Sequence, residues 1–390
     1  MTSTLIFRKG LDLKHAVAAQ LSENYHSELV EKIKAEGFVH QAGRLTIHLA
    51  REFGFCYGVD RAVDYAYQTR ERFPDRRLFL TGEIIHNPHV NDRLRALGIN
   101  FLSDPGAATD LGPSDVVVLP AFGVTTGEMK RFEALGCVLV DTTCGSVLNV
   151  WKNVKRYAED GMTSIIHGKM WHEETRATAS QATHSGGHFL VVLNLEETAE
   201  VCDYIRHGGD RARFLAKFGN AASPGFDPDC HLERMGLANQ TTMLMSESLQ
   251  VQELFRQAML DRRGETGLAE SFRAFDTICS ATQDRQDAVV NLLKETPLDL
   301  MIVIGGYNSS NTCNLARMGA AAVPTFHIAH PDCLESADAI RHRPAGGHDE
   351  VRAEGWLPPS GPVNIGLTSG ASTPNNLVGI TVGRLSSLCN

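Results

Sequence analysis

The chain reads as an α/β protein of three similar α/β domains in a pseudo-threefold, trefoil-like arrangement around a central cavity. Three observations predict this. Strand-like apolar runs alternate with helix-like stretches along most of the 390 residues. A cysteine falls between such a strand and such a helix three times, in LTIHLAREFGFCYGVDRAV at Cys56, CVLVDTTCGSVLNVW at Cys144 and RAFDTICSATQDRQDAVVNLL at Cys279. Two further strand-and-loop elements follow each cysteine, and the step from cysteine to the next loop is 30 residues both from Cys56 to His86 and from Cys279 to Ser309. In open α/β sheets, ligands collect beyond the carboxyl ends of the strands. Three units facing one another would bring their loops to one cavity, with one cysteine from each. The plain alternative is three Rossmann-like halves whose cysteines fall there by chance, since polar strand-end loops are common in this fold class.

Taken in order, residues 1–45 form an N-terminal extension with one amphipathic helix expected in SELVEKIKAEGF, read as a packing arm. The first domain, 46–142, holds the Cys56 loop, then RLFLTGEIIHNPHV with His86 and Asn87, then DVVVLPAFGVTTGEM. The second, 143–265, holds the Cys144 loop, TSIIHGKMWHEET with His167, His172 and Glu174, and RMGLANQTTMLMSES, with an insertion near 206–235 rich in Gly, Pro and Asp. The third, 266–390, holds the Cys279 loop, DLMIVIGGYNSSNT with Asn308, Ser309, Ser310 and Asn311, and VNIGLTSGASTPNNL with Ser372. The stretch 341–362, RHRPAGGHDEVRAEGWLPPSGP, stands outside the pattern as a further loop.

Bulk properties narrow the function classes. A 43% hydrophobic and 21% charged composition is ordinary for a globular protein. At roughly 150 residues per domain the length allows two or three domains, with cores large enough to need no disulfides. The formal charge of -9 and a pI near 6.0 argue against a basic nucleic-acid face, though not against a local pocket for a small anion. The N-terminus lacks the apolar run of about 7–15 residues that a secretory signal needs. No apolar run approaches the ~18 residues of a membrane span. Neither nucleic acid nor membrane is therefore an expected partner, and the expected compartment is a reducing cytoplasm. There the nine cysteines are thiols or metal ligands rather than disulfides.

A cysteine at a glycine-flanked strand tip, as in Cys56, has two readings. It can be a small buried filler. Or it can be a thiolate at a helix N-terminus, where the dipole and exposed N–H groups lower its pKa and prepare it to bind metal. Of the other cysteines, Cys137 and Cys202 have apolar neighbours and are expected in the core; Cys230, Cys313, Cys333 and Cys389 do not occupy equivalent places. Three separated thiolates do not fit a structural zinc site, which pairs ligands in short knuckles. A catalytic zinc would more often use histidine. A cubane [4Fe–4S] cluster normally takes four cysteines. With three, one iron stays open to substrate and can act as a Lewis acid, and the cluster can carry electrons.

His86, His172, Ser309, Asn311 and Ser372 are donors at strand ends, several at predicted helix N-termini, a combination suited to a phosphate or diphosphate. Each serine or asparagine taken alone is more often a helix cap than a ligand. No GxxxxGK[ST] loop is present, which argues against a nucleoside triphosphate. Glu174, in HEET, is either a first-turn complement to the helix dipole or a proton donor in a closed cavity.

With these residues in place, the sequence resembles the 4-hydroxy-3-methylbut-2-enyl diphosphate reductases from about residue 45 to 385. The resemblance is carried by GFCYGVDRA, EIIHNPHV, VDTTC, HGKMWHEET, ANQTTM, DTICSATQDRQDA, GGYNSSNT and TSGASTPN, and it leans to the long plant and cyanobacterial type through the N-terminal extension, LPAFG, HGK and FDPD. It implies a three-lobed α/β fold around one [4Fe–4S] cluster with Cys56, Cys144 and Cys279 as ligands and one open iron. It implies that His86, His172, Ser309, Ser310, Asn311 and Ser372 hold the diphosphate, that Glu174 delivers protons, and that Thr241 lies close to the substrate hydroxyl. The implied products are isopentenyl and dimethylallyl diphosphate. Three features depart from the usual pattern. Phe122 stands where short bacterial members carry histidine, which marks the long subclass. Gly145 replaces the proline that usually follows the second cysteine, and Met170–Trp171 is unusual in its loop. No G-x-G-x-x-G follows a predicted strand, so electrons are expected from a partner such as ferredoxin or flavodoxin. Two rival readings are a non-redox dehydratase, which would turn over without an electron donor, and an iron–sulfur sensor, which would not need Glu174.

Overall fold

β-branched and apolar runs become strands, and the stretches between them become helices. The computed structural model describes residues 5–275 and 277–388; Asp276 and Cys389 fall outside the described residues. In chain order the elements are β1 (Ile6–Phe7), α1 (Lys14–Tyr25), α2 (Glu28–Ala35), β2 (Val39–Ala42), β3 (Leu45–Leu49), α3 (Tyr57–Arg72), β4 (Leu78–Leu80), α4 (Pro88–Ala96), β5 (Ile99–Phe101), β6 (Val116–Leu119), α5 (Thr126–Ala134), β7 (Val138–Asp141) and α6 (Gly145–Glu159). They continue as β8 (Thr163–His167), α7 (Glu173–His184), β9 (Phe189–Val192), α8 (Leu195–His207), α9 (Arg211–Phe218), α10 (Pro228–His231), β10 (Met235–Asn239), α11 (Met245–Ser271) and β11 (Phe272–Ala274). The last are α12 (Ser280–Glu295), β12 (Leu300–Ile304), α13 (Ser310–Ala320), β13 (Thr325–Ile328), β14 (Ala339–His342), β15 (Val351–Glu354), β16 (Val363–Ser369) and α14 (Asn375–Ser387). Two compact units divide the chain: one comprises residues 111–113 and 119–279 with Leu5, the other residues 6–110, 114–118 and 280 onward.

The unit of residues 119–279 is built on a parallel sheet of order β11-β10-β8-β9. β8, β9 and β10 are buried on both faces, as parallel strands covered by helices must be, while the edge strand β11 is half-buried. Period-two alternation assigns the faces. Ile165, Leu190, Val192 and Leu237 join one core with Val201, Ile205, Val251 and Phe255. Ile166, Phe189, Val191 and Ala238 join another with Val150, Val154, Ala179 and Ala182. Each fully buried Ile, Leu or Val contributes about 1.5–3 kcal/mol. The 206–235 insertion is more than a polar loop: it carries α9 and α10 and buries Phe214, Phe218 and Phe226 in the first of these cores.

The other unit holds a five-stranded sheet of order β13-β12-β16-β3-β2, parallel except for β2 against β3, together with β4 flanked in parallel by β5 and by residues 116–118 of β6. The strand leading to Cys56 thus pairs with β16 near the C-terminus, in the register Leu45↔Val363 and Leu49↔Leu367. The N-terminal extension has two helices where one was expected. The expected helix is α2, capped by Ser27 Oγ accepting from Val30 N–H at 3.3 Å, with Val30 and Ile33 fully buried in the core. The additional one, α1, has little apolar periodicity, burying only Val17 and Tyr25, so its sequence gives no helical stripe to read. The 341–362 stretch is also ordered, since β14 and β15 pair as an antiparallel hairpin.

Candidate active site

In the unit of residues 119–279, the buried strand β7 ends in Asp141-Thr142-Thr143-Cys144. Asp141 Oδ1 accepts hydrogen bonds from Thr143 N–H at 3.1 Å and Thr143 Oγ1 at 2.6 Å, an aspartate-headed turn that re-aims the chain. Thr142 Oγ1 donates to Leu119 O at 2.6 Å, and Cys144 N–H donates to Ala121 O at 2.9 Å. Cys144 is the N-cap of α6, half-buried, with its thiol at the positive end of the helix.

Glu174 lies in the first turn of α7 and is 2% exposed. Its carboxylate accepts from Thr241 N–H at 2.6 Å on Oε1 and from Thr241 Oγ1 at 3.1 Å on Oε2. The Thr241 carbonyl in turn accepts from Cys279 N–H at 3.2 Å. His172 caps α7, its Nδ1 accepting from Glu174 N–H at 3.1 Å, so in the neutral ring Nε2 carries the proton. Phe122 packs edge-on against the His172 ring, centroids 5.6 Å apart. The structure therefore joins Cys279, Thr241, Glu174 and His172 in one hydrogen-bonded chain, with Phe122 alongside. The strand ends behind it are cross-tied: Asn239 N–H and Nδ2 both donate to Thr277 Oγ1, at 2.7 and 3.0 Å.

In the other unit, Cys56 is the half-buried N-cap of α3, and its N–H donates to Ala371 O at 3.1 Å. The turn before it needs a glycine. Gly54 has φ +83°, a Cβ there would fall within 3.0 Å of Asn375 Oδ1, and its carbonyl accepts from Arg285 Nη2 at 2.8 Å. Ala371 N–H donates to Asn311 Oδ1 at 3.0 Å, and Ser372 Oγ donates to His86 O at 3.3 Å. Gly306 lies so close to His86 that a Cβ would fall within 3.0 Å of its carbonyl oxygen. Cys56, His86, Ser309–Asn311 and Ser372 are thus gathered in one neighbourhood. Ser309 caps α13 by accepting from Thr312 N–H at 3.3 Å. Asn311 is 2% exposed, and its Nδ2 is buried without a hydrogen-bond partner. A buried amide donor left in that state costs about 1–3 kcal/mol unless a ligand satisfies it.

A model of the LytB protein family matches residues 47–386. The chain belongs to the LytB protein family. The 4-hydroxy-3-methylbut-2-enyl diphosphate reductase of Gloeobacter violaceus is 50% identical over 99% of this chain and 93% of its own length. That of Thermosynechococcus vestitus is 49% identical over 98% and 94%. Two solved structures share the α/β fold. One is (E)-4-hydroxy-3-methyl-but-2-enyl diphosphate reductase, described as the terminal enzyme of the non-mevalonate pathway: TM-score 0.55, 24% identity, 87% of this chain and 99% of that one. The other, E-1-hydroxy-2-methyl-but-2-enyl-4-diphosphate reductase from Plasmodium falciparum, has a TM-score of 0.63 and 21% identity, covering 88% of each chain.

Two residues of this LytB-family chain escaped the sequence reading. Glu83 Oε2 accepts from His86 Nδ1 at 2.7 Å, fixing the ring's orientation. The i,i+3 spacing in EIIH was the available signal. Gln240 Oε1 accepts from Lys169 N–H at 3.1 Å and Thr175 Oγ1 at 3.2 Å, tying the HGK loop to the ANQTT loop. Gln240 lies inside the ANQTTM motif, but the motif does not state its role, because its partners are remote along the chain. Cys137 and Cys202 are fully buried, as their apolar neighbours predict; burial pushes the Cys202 thiol up to about 12. Trp171, by contrast, is largely exposed.

Proposed function

We propose that this chain reduces (E)-4-hydroxy-3-methylbut-2-enyl diphosphate, replacing its C–OH bond by C–H to give isopentenyl and dimethylallyl diphosphate. Two electrons and two protons enter and one water leaves. The relatives' activity supports the substrate. The observation that carries the reading is Glu174, a buried carboxylate fixed twice by Thr241 beside the Cys279 loop.

Cys56, Cys144 and Cys279 are the proposed ligands of one [4Fe–4S] cluster. The donor chemistry fits: two are half-buried thiols at helix N-caps, and Cys279 directly precedes α12. Helix N-termini favour the thiolate that binds iron. When bound, the cluster would relay the two electrons from an external donor and offer a Lewis-acidic iron to the substrate oxygen. The protein groups do the rest. Protonated Glu174 gives a proton toward the departing oxygen, and Thr241, hydrogen-bonded to that carboxyl, orients it. His172, whose Nδ1 accepts from Glu174 N–H, and His86, whose ring Glu83 orients, are the proposed histidine contacts of the diphosphate, with Ser309, Ser310, Asn311 and Ser372 as hydrogen-bond donors. The unpartnered Asn311 Nδ2 suits an anion's oxygen. The reading carries with it an external donor of the ferredoxin or flavodoxin kind and a cytoplasmic setting. Among the described residues no helix is long and apolar enough to cross a membrane.

Anaerobic purification with iron and sulfide counts, then assay with the diphosphate substrate and a reduced low-potential donor, tests the proposal. Four irons and four sulfides per chain are expected for wild type. Cys56→Ser, Cys144→Ser and Cys279→Ser should each lose metal and activity, while Cys230→Ser, at an exposed thiol, should not. Full iron content in all three serine variants would overturn the ligand assignment.

A further inference from the structure

We propose that Glu350, on the β14–β15 hairpin, is a positioning residue for the substrate diphosphate, acting through Tyr307 on the loop that carries Ser309, Ser310 and Asn311. The inference rests on the proposed role of that loop.

The loop between β12 and α13 begins Gly305-Gly306, a pair that supplies little conformational definition of its own. Its geometry must be imposed from outside, and Tyr307 is where that happens. The Tyr307 hydroxyl donates to Glu350 Oε2 at 2.7 Å. Its ring takes the His327 ring edge-on at 5.0 Å and lies 5.0 Å from the Arg343 guanidinium. Its carbonyl accepts from Cys313 Sγ at 3.3 Å, and the same sulfur accepts from Arg343 Nη2 at 2.7 Å. His327 Nε2 donates to Gly305 O at 2.9 Å. Side chain and backbone are thus held from several directions, two residues before Ser309.

Glu350 is itself braced. Its Oε1 accepts from Arg341 Nη1 at 2.8 Å, and Arg341 Nε donates to Glu335 at 2.9 Å, a carboxylate that also takes Arg352 Nε at 2.9 Å. Arg341 and Arg352 are register partners across the hairpin. The brace keeps Glu350 ionised: although burial opposes it, the Tyr307 and Arg341 hydrogen bonds hold its carboxyl below the usual range. Burial, reinforced by the Glu350 hydrogen bond, pushes the Tyr307 hydroxyl well above its ordinary range, so it remains a donor. The stretch that stands outside the repeating sequence pattern thus serves as a strut behind the loop.

The test compares Tyr307→Phe, Glu350→Ala, Glu350→Gln, the double variant Tyr307→Phe/Glu350→Ala, and Asn311→Ala in the cluster-loaded full chain. Steady-state kinetics, competitive inhibition by inorganic diphosphate, and thermal midpoints are read for each. Tyr307→Phe and Glu350→Ala should each raise KM and the diphosphate inhibition constant by about fivefold to twentyfold, part of the weight of one hydrogen bond to a charged group because the contact acts on the substrate indirectly, with kcat held within about twofold. The double variant should be no worse than either single one, because both remove the same contact. Glu350→Gln, which keeps an acceptor for the tyrosine, should recover most of the loss. If Asn311→Ala raises KM while Tyr307→Phe and Glu350→Ala do not, the strut is overturned and the diphosphate loop stands. If Asn311→Ala also leaves KM and inhibition unchanged, both fall. A lowered thermal midpoint with unaltered KM would mark the contact as structural only and overturn the proposal.

Discussion

The Glu174 neighbourhood and the 305–311 loop handle their polar groups in opposite ways. Glu174 is already bonded: both carboxylate oxygens take hydrogen bonds from a single residue, Thr241. The loop keeps a donor unspent, since Asn311 Nδ2 is buried and unpartnered while its Oδ1 is anchored to Ala371 N–H. The difference follows from the work proposed for each. A group that transfers a proton gains from a fixed position, because misplacement costs rate. A group that binds an anion gains from a donor whose desolvation is already paid. The first region should therefore fail in kcat and the second in KM.

The largest effect that can break this contrast is at Glu174. Glu174→Gln keeps the volume and one acceptor for Thr241 N–H but removes the transferable proton. We expect kcat to fall by about 10²–10⁴-fold, the usual weight of a positioned acid, with KM little changed. Thr241→Val should cost less, because it spares the carboxyl and removes only the hydroxyl contact. A Glu174→Gln enzyme of full activity would return the residue to the first turn of α7 as a structural group and remove it from proton transfer.

A second, smaller effect concerns the histidine standing behind each region. His167 ends β8, with its Nδ1 3.0 Å from Ser248 Oγ; His327 backs the 305–311 loop. Burial lowers both to about 4. An unfolded histidine binds its proton near pH ~6.5, so between there and about pH 4 the unfolded chain holds more protons than the folded one. Stability is therefore complete above that window and declines as pH falls through it, by up to about 1.4 kcal/mol per pH unit for each histidine. Urea midpoints of wild type and His327→Gln between pH 7 and 4 check this. The variant, lower at neutral pH, should show the shallower acid decline; parallel slopes would remove His327 from the account.

These contrasts show how much the sequence could tell. Cys56 and Cys144 fall at the strand-to-helix junctions that their flanking runs predict, because an apolar run, a polar turn and a helical stretch are local signals. The expected three-domain division at 46, 143 and 266 rests on the same local signals. Sheet pairing is not local, and no feature of LTIHL states that it lies beside Val363–Ser369. The stretch 341–362 reads as a further loop, yet Arg341 and Glu350 pair across its hairpin and Glu350 reaches Tyr307. The side chains of the site were legible as types, but which of them is spent on its neighbours and which is held ready depends on partners that sequence order does not reveal.

The smallest effect sharpens the comparison at the two cysteine turns. Gly54 cannot be replaced cheaply, because its φ is positive and a Cβ would meet Asn375. Gly145 has no such constraint: a Cβ there would meet nothing within 4 Å. It is the first residue of α6, where proline's missing N–H is no loss and its fixed φ suits the helix. Cys144 before it is extended, at φ −62° and ψ 142°, the conformation a residue preceding proline prefers. Gly145→Pro should therefore stabilise the chain by about 0.4–1 kcal/mol through loss of unfolded-state freedom, and leave iron content unchanged. A raised urea midpoint with wild-type metal loading is the expected result. A lowered midpoint would mean that the turn at Cys144 needs the freedom glycine gives it, and that the two cysteine turns are more alike than their geometry indicates.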